Sequence, residues 1–130
     1  MALNLAKIGI STGFSFVQLT DVVGEKLVDE DGKPAGVNLY SPASTEYKSA
    51  QRKRERDEKG KEKDADAMEK ARVNFLVVVT HSWVGLDFEG LTGSELSRKI
   101  YGEPSLVSIH QQVESAVHRF NNFLPSATSA

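Results

Sequence analysis

Val73–Gly90, reading VNFLVVVTHSWVGLDFEG, is the most apolar run in the chain and contains its single tryptophan, Trp83. Phe75, Leu76, Val79 and Trp83 recur at a spacing that sets them along one side of an α-helix. Val73, Val77 and Val78 add apolar surface on other sides, so this element is expected to be covered around most of its circumference. The same valines make a buried strand the competing reading, because periodicity alone does not assign a short apolar run. The helix is favoured for two reasons. The run continues without Gly or Pro from an upstream segment of strong helix formers, and it stops at Gly85, a residue suited to a C-terminal cap. The rest of the chain is expected to pack around it.

Upstream lies the most charged segment, EYKSAQRKRERDEKGKEKDADAMEKAR, with its signs interleaved. Opposite charges three or four residues apart support a helix by a few tenths of a kcal/mol each, and such a face is usually solvated. Ser41-Pro42-Ala43-Ser44 supplies N-cap oxygens and a proline, so a helix is expected to start between Ser41 and Thr45. Gly60 costs about 1 kcal/mol relative to Ala inside a helix and predicts a kink, a break or a disordered middle. The charged arm, 48–70, is then anchored only at its ends, near Tyr47 and near Met68.

Before it, FSFVQLTDVV (14–23) and GVNLY (36–40) are rich in strand formers, and the turn chemistry of Asp31-Gly32 and Lys33-Pro34 lies between them. A β-hairpin or small meander is expected. Residues 1–13, with Gly9 and Gly13, read as loose or as a short strand. After Trp83 the glycines at 85, 90 and 93 force a loop or short hairpin, and Thr92 with Glu95 has the spacing of a capping box. The helix opened there carries Leu96, Ile100 and Tyr101 and closes at Gly102. Pro104 opens the last helix, in which Leu106, Ile109, Val113, Ala116, Val117, Phe120 and Leu124 form one apolar stripe.

The fold class is therefore α+β: an N-terminal β-hairpin or small antiparallel sheet, then a mainly helical bundle of about four helices. A single domain is expected over 1–124, with a β-rich part at 14–40, a helical part at 42–124 and a disordered tail at 125–130. The expected core is Phe75, Leu76, Val79, Trp83, Leu96, Ile100, Leu106, Ile109, Val113, Val117 and Phe120. With 130 residues, 39% of them hydrophobic, the chain has material for one modest core.

Composition also narrows the function. A net charge of −2 and a pI near 5.9 give no basic excess for a dedicated nucleic-acid binder. The absence of cysteine removes disulfides and thiolate chemistry. No apolar run approaches the roughly 20 residues that span a bilayer, and the start lacks the pattern of a secretory signal, so no membrane association is expected. Asp29, Glu30, Asp31 and Gly32 suggest a calcium loop, but the bidentate acid six residues beyond the glycine is missing, since position 38 is Asn; a turn is the better reading. His81, His110 and His118 share no metal-ligand spacing and read as surface or boundary residues. His81, Ser82 and Asp87 are the residue types of a hydrolytic triad without its architecture, and no GxSxG elbow is present. No enzyme, cofactor or metal is expected. Trp83, Phe88, Tyr101, Phe120 and Phe123 are the candidate partner-binding residues, because aromatics anchor protein interfaces.

The order of these features resembles the tail assembly chaperones of long-tailed bacteriophages. The resemblance covers about residues 14–124. It rests on the β-rich start with its acidic turn Asp29–Gly32, the Ser-opened helix with Tyr47 and a basic run, and the apolar element closing in Trp83-Val84-Gly85-Leu86-Asp87-Phe88-Glu89-Gly90. Gln112 and the closing Asn121-Asn122-Phe123-Leu124 complete it. The charged insert around Gly60 and the short segment after Gly90 depart from that pattern. The resemblance implies a non-enzymatic factor of the host cell cytoplasm that binds and solubilises the tape measure protein, helps recruit the tail tube protein, and is missing from the mature virion. Self-association is a further expectation, and nucleic acid is not expected as a partner. The alternative is a structural neck or head-completion protein retained in the particle.

Overall fold

A computed structural model describes residues 2–5 and 8–124 of the chain. The expected tail at 125–130 lies outside the described residues. The fold is α+β: a three-stranded antiparallel sheet in the order β1-β2-β3, with four helices. β1 (Phe14–Gln18) and β2 (Gly36–Tyr40) form the hairpin, pairing from Phe14 opposite Tyr40 to Gln18 opposite Gly36. Gly36 is required there, because a Cβ at that position would lie 2.1 Å from the Val17 carbonyl oxygen.

The connection from Leu19 to Ala35 folds on itself instead of extending β1 to Val23. Leu27 donates its amide to the Leu19 carbonyl (2.8 Å), and Ala35 donates to the Leu27 carbonyl (3.0 Å). The acidic turn is held by Asp29, whose Oδ1 accepts the amides of Asp31 (2.8 Å) and Lys33 (3.0 Å).

α1 (Thr45–Glu58) starts at Ser44, whose hydroxyl accepts the Tyr47 amide. It stops before Gly60, where φ is 76° and the left-handed turn reverses the chain. α2 (Ala65–Val79) opens at Asp64, whose side chain accepts the Ala67 amide. The two helices pack against each other, with Ala50 and Ala71 buried in their contact region. The charged arm is therefore anchored along its length and not only at its ends. Arg54 lies 5.1 Å from the centre of the Phe75 ring, and Arg54 and Arg72 both pair with Glu114 of the last helix, at 3.6 and 3.5 Å. Arg72 also holds Glu69 at 2.6 Å, which keeps that carboxyl below the usual range.

The helical reading of the central run holds to Val79 and fails beyond it. Thr80–Val84 is β3, antiparallel to β2, so Trp83 is a strand residue placed opposite Val37. The switch is local and sharp. Thr80 turns its hydroxyl back onto the Leu76 carbonyl (2.7 Å), and the backbone leaves the helix to complete a sheet whose second strand had an open side.

α3 (Gly93–Gly102) buries Leu96, Ile100 and Tyr101. Its expected capping box is absent: Thr92 is the N-cap but makes no side-chain cap bond. A 3-10 turn, Pro104–Leu106, leads into α4 (Val107–Val117). α4 is shorter than the apolar stripe suggests. The chain tightens at His118 and Arg119, whose amides donate to Ser115 and Ala116, and a second 3-10 turn covers Phe120–Phe123. This rotation exchanges the two closing aromatics. Phe123 is fully buried, while Phe120, expected in the core, is 63% exposed. Phe75, Leu76, Val79, Leu96, Ile100, Val113 and Val117 are buried as expected; Trp83, Leu106 and Ile109 are partly buried against them. His110, read as a boundary residue, is buried and donates from Nε2 to the Ile100 carbonyl at 2.6 Å.

Candidate functional site

The strand-to-loop passage from Trp83 to Phe88 builds one wall of an apolar groove. Trp83, Leu86, Asp87 and Phe88 face Ile100 of α3, Leu106 and Ile109 at the start of α4, and Leu27 from the long β1–β2 connection, around a cavity of about 200 Å³. Gly85 makes this wall possible: its φ of 69° turns the chain out of β3 in a conformation that side-chain-bearing residues rarely adopt, and a Cβ there would lie 3.3 Å from the Cβ atoms of Ala35 and Asp29. Asp87 is the single charged residue of the lining, and its Oδ1 accepts the Gly90 amide, which closes the loop.

Trp83 is held by its polar edge. Its indole Nε1 donates to Ser97 Oγ at 2.9 Å, and its ring lies 5.6 Å from that of Tyr101. Tyr101 is anchored in turn, with its hydroxyl 2.6 Å from Thr80 Oγ1, and burial pushes its phenol well above the usual tyrosine range. A buried relay thus runs from the Leu76 carbonyl through Thr80 to Tyr101 and fixes the wall of the groove. Leu27 is held from the other side, because its carbonyl accepts the Gln18 side-chain amide at 2.8 Å.

Of the five aromatics selected from the sequence, the structure brings Trp83 and Phe88 together in this groove. Tyr101 (1% exposed) supports Trp83 from behind, and Phe123 (0%) is enclosed beside β1, so neither offers surface to a partner. Phe120 is exposed but is not among the groove residues. Leu27 and Leu86 are groove residues that sequence reading missed. The available signal was a lone leucine in each of two turn-rich segments, which has no periodicity to mark it.

The triad-like residue types do not converge. His81 Nδ1 is 2.8 Å from Ser82 Oγ, but Ser82 also accepts the Asn38 amide (3.0 Å), and the exposed His81 ring stacks on Phe14 at 3.8 Å. Asp87 is engaged with Gly90. Among the described residues no cluster of three or more His, Asp or Glu side chains is placed to hold a metal ion, and no helix is long and apolar enough to cross a membrane. What this arrangement offers chemically is a small, apolar, rigidly walled recess that takes in apolar side chains. Comparison of the chain with protein-family models, curated proteins and solved structures finds no match.

Proposed function

We propose that this protein is a non-enzymatic tail assembly chaperone of a long-tailed bacteriophage, which binds and solubilises the tape measure protein in the host cytoplasm and helps bring in the tail tube protein. The observation that carries the reading is the apolar groove of Trp83, Leu86, Phe88, Leu106 and Ile109, on a chain whose α1 is charged along most of its length. An amphipathic client helix docks by inserting a few apolar anchors into such a recess, while the surrounding polar surface keeps the complex soluble. A cavity of about 200 Å³ takes in few side chains, which suits a complex that must release its client when tube subunits arrive.

Co-expression with the cognate tape measure protein tests this. The wild-type chain should keep the client soluble and co-purify with it. The Leu86→Ala, Phe88→Ala double variant, altered in a half-buried loop, should keep its own helical content yet recover at least about tenfold less client, the loss expected when anchors at the centre of an interface are truncated. A client that stays insoluble and unbound beside the wild-type chain would sink the proposal. Mass spectrometry of purified particles adds a second check, since a chaperone should be missing from them and a neck or head-completion subunit should be present.

A further inference from the structure

The charges of α1 interleave along the sequence, but the folded helix sends them to different sides. Its inner side is marked by the buried Ala50 and by Tyr47 and Arg54, which lie against the Phe75 ring. Two of its acids are engaged there: Asp57 pairs with Lys53 at 2.8 Å, and Glu58 with Arg54 at 3.1 Å. At about 3.6 residues per turn, Lys48, Arg52 and Arg56 fall on the opposite side, each four residues from the next, and the C-cap Lys59 extends the line. All four are exposed, and among the described residues none of their side chains makes an ion pair or hydrogen bond. Two acids lie near the line. Glu55 borders it and accepts from the Gln51 side chain at 3.4 Å, and Glu46, in the first turn, accepts from the Thr45 hydroxyl at 3.1 Å.

Helix stability does not call for this arrangement. Cations four residues apart repel one another, and Lys48 stands near the N-terminal end, where the helix dipole disfavours positive charge; only Arg56 and Lys59 gain from the dipole. We propose that this line of cations docks an acidic α-helix of another protein, one that carries carboxylates three or four residues apart. Two such helices lying side by side advance by the same step of about 6 Å, so their opposite charges match along the roughly 16 Å from Lys48 to Lys59. Other polyanions fit the face less well. It has no aromatic ring on which bases could stack and no apolar side chain to enter a lipid surface, and the whole chain carries a net charge of −2. A second copy is not the occupant. With Asp57, Glu58, Glu69 and Glu114 already paired, no helix among the described residues keeps two free carboxylates three or four apart. The inference goes beyond the chaperone reading and shares no residue with the groove, so either can fail alone.

Fluorescence anisotropy with a labelled, alanine-based helical peptide carrying Glu at every fourth position tests the proposal. The wild-type chain should bind it more tightly at low salt than the same peptide with Gln in place of Glu, and the difference should shrink as salt is added. The Arg52→Gln, Arg56→Gln double variant, altered only at exposed positions, should melt like wild type and bind the Glu peptide at least about fivefold more weakly. Lys26→Gln, Lys33→Gln, which removes the same charge from exposed positions of the β1–β2 connection, should bind like wild type. Equal binding of the Glu and Gln peptides, equal losses in the two double variants, or tighter binding of a DNA duplex or of phosphatidylserine vesicles than of the Glu peptide would each overturn the proposal.

Discussion

The sheet side of the molecule and the charged helical hairpin are held by different forces. On the sheet side, Val37 and Leu39 of β2 meet a core that includes Leu76, Val79, Val113, Val117 and Phe123, all of them fully buried. In α1, by contrast, the single buried residue is Ala50, and the helix is tied to its neighbours by the close approach of α2, by Tyr47 set edge-on to Phe75 at 5.6 Å, and by Arg54, which touches Phe75, Glu58 and Glu114. One region is fixed by extensive removal of apolar area from water, the other by one partly buried aromatic and by charged contacts that water and salt can compete for. The lesson concerns where rigidity is placed. None of the groove's lining comes from α1, so α1 can open locally without disturbing it, whereas α2 carries Leu76, the start of the relay behind Trp83.

The largest expected effect separates two aromatics three residues apart. Phe123→Ala should lower unfolding free energy by about 3–5 kcal/mol, because the ring is fully enclosed and its removal leaves a cavity. Phe120→Ala should change it by less than about 0.5 kcal/mol, as exposed substitutions do. Urea unfolding of both variants measures the difference. Similar losses for the two would mean that α4 continues helically past Val117, and the boundary drawn between enclosed and exposed regions would move with it.

A middle-sized effect tests the relay behind Trp83. Tyr101→Phe removes the hydroxyl that meets Thr80 Oγ1, while Thr80 keeps its bond to Leu76, so a loss of about 1–2 kcal/mol is expected. The same residue sets an alkaline limit on the sheet side. Its phenol is raised in the folded protein by burial, so above the ordinary tyrosine value of about 10 the unfolded chain has lost a proton that the folded chain retains. The unfolded state then binds fewer protons and stability falls as pH rises, by about 1.4 kcal/mol per pH unit for one group. The contribution is fully present below that value and is lost above it. Thermal melts between about pH 9 and 11, spanning the tyrosine value, should show this slope in wild type and a shallower one in Tyr101→Phe.

The contrast between regions also explains what was legible in the sequence. Local chemistry identified the hairpin, a helix start within Ser41–Thr45 that the structure fixes at Ser44, an interruption at Gly60 and the closure of α3 at Gly102, since each is decided by a few adjacent residues. The end of α2 was not legible. Val77-Val78-Val79 suits helix or strand, and the chain leaves the helix at Thr80 because β2, some forty residues earlier, offers a pairing edge that no local window contains. Trp83 kept its place beside the core while changing its kind of element. At the other end, carrying helical spacing past His118 assigned Phe120 to the core in place of Phe123; the deciding bonds are a tightened last turn and the Asn122 side chain donating to the Ala116 carbonyl. Of the groove, the sequence marked the aromatics and the helix-face residues Ile100, Leu106 and Ile109, but gave Leu27 and Leu86 no place among the candidate core or partner-binding residues.

The smallest expected effect bears on the charged side. Glu114 of α4 is the point where Arg54 of α1 and Arg72 of α2 converge, at 3.6 and 3.5 Å. Its carboxylate is about two-thirds covered, so the pairs are screened less than free surface pairs, yet both arginines keep other carboxylates, Glu58 and Glu69. Glu114→Gln should therefore cost less than about 1 kcal/mol at low salt, and less still at high salt. The informative readout is its location. Hydrogen exchange should quicken in α1 while the amides of β2 remain as protected as in wild type, because the link removed joins the hairpin to α4 and touches none of the enclosed sheet residues. If β2 loses protection together with α1, the two regions open as one unit, and the charged pairs are then integral to the same cooperative core that holds the groove.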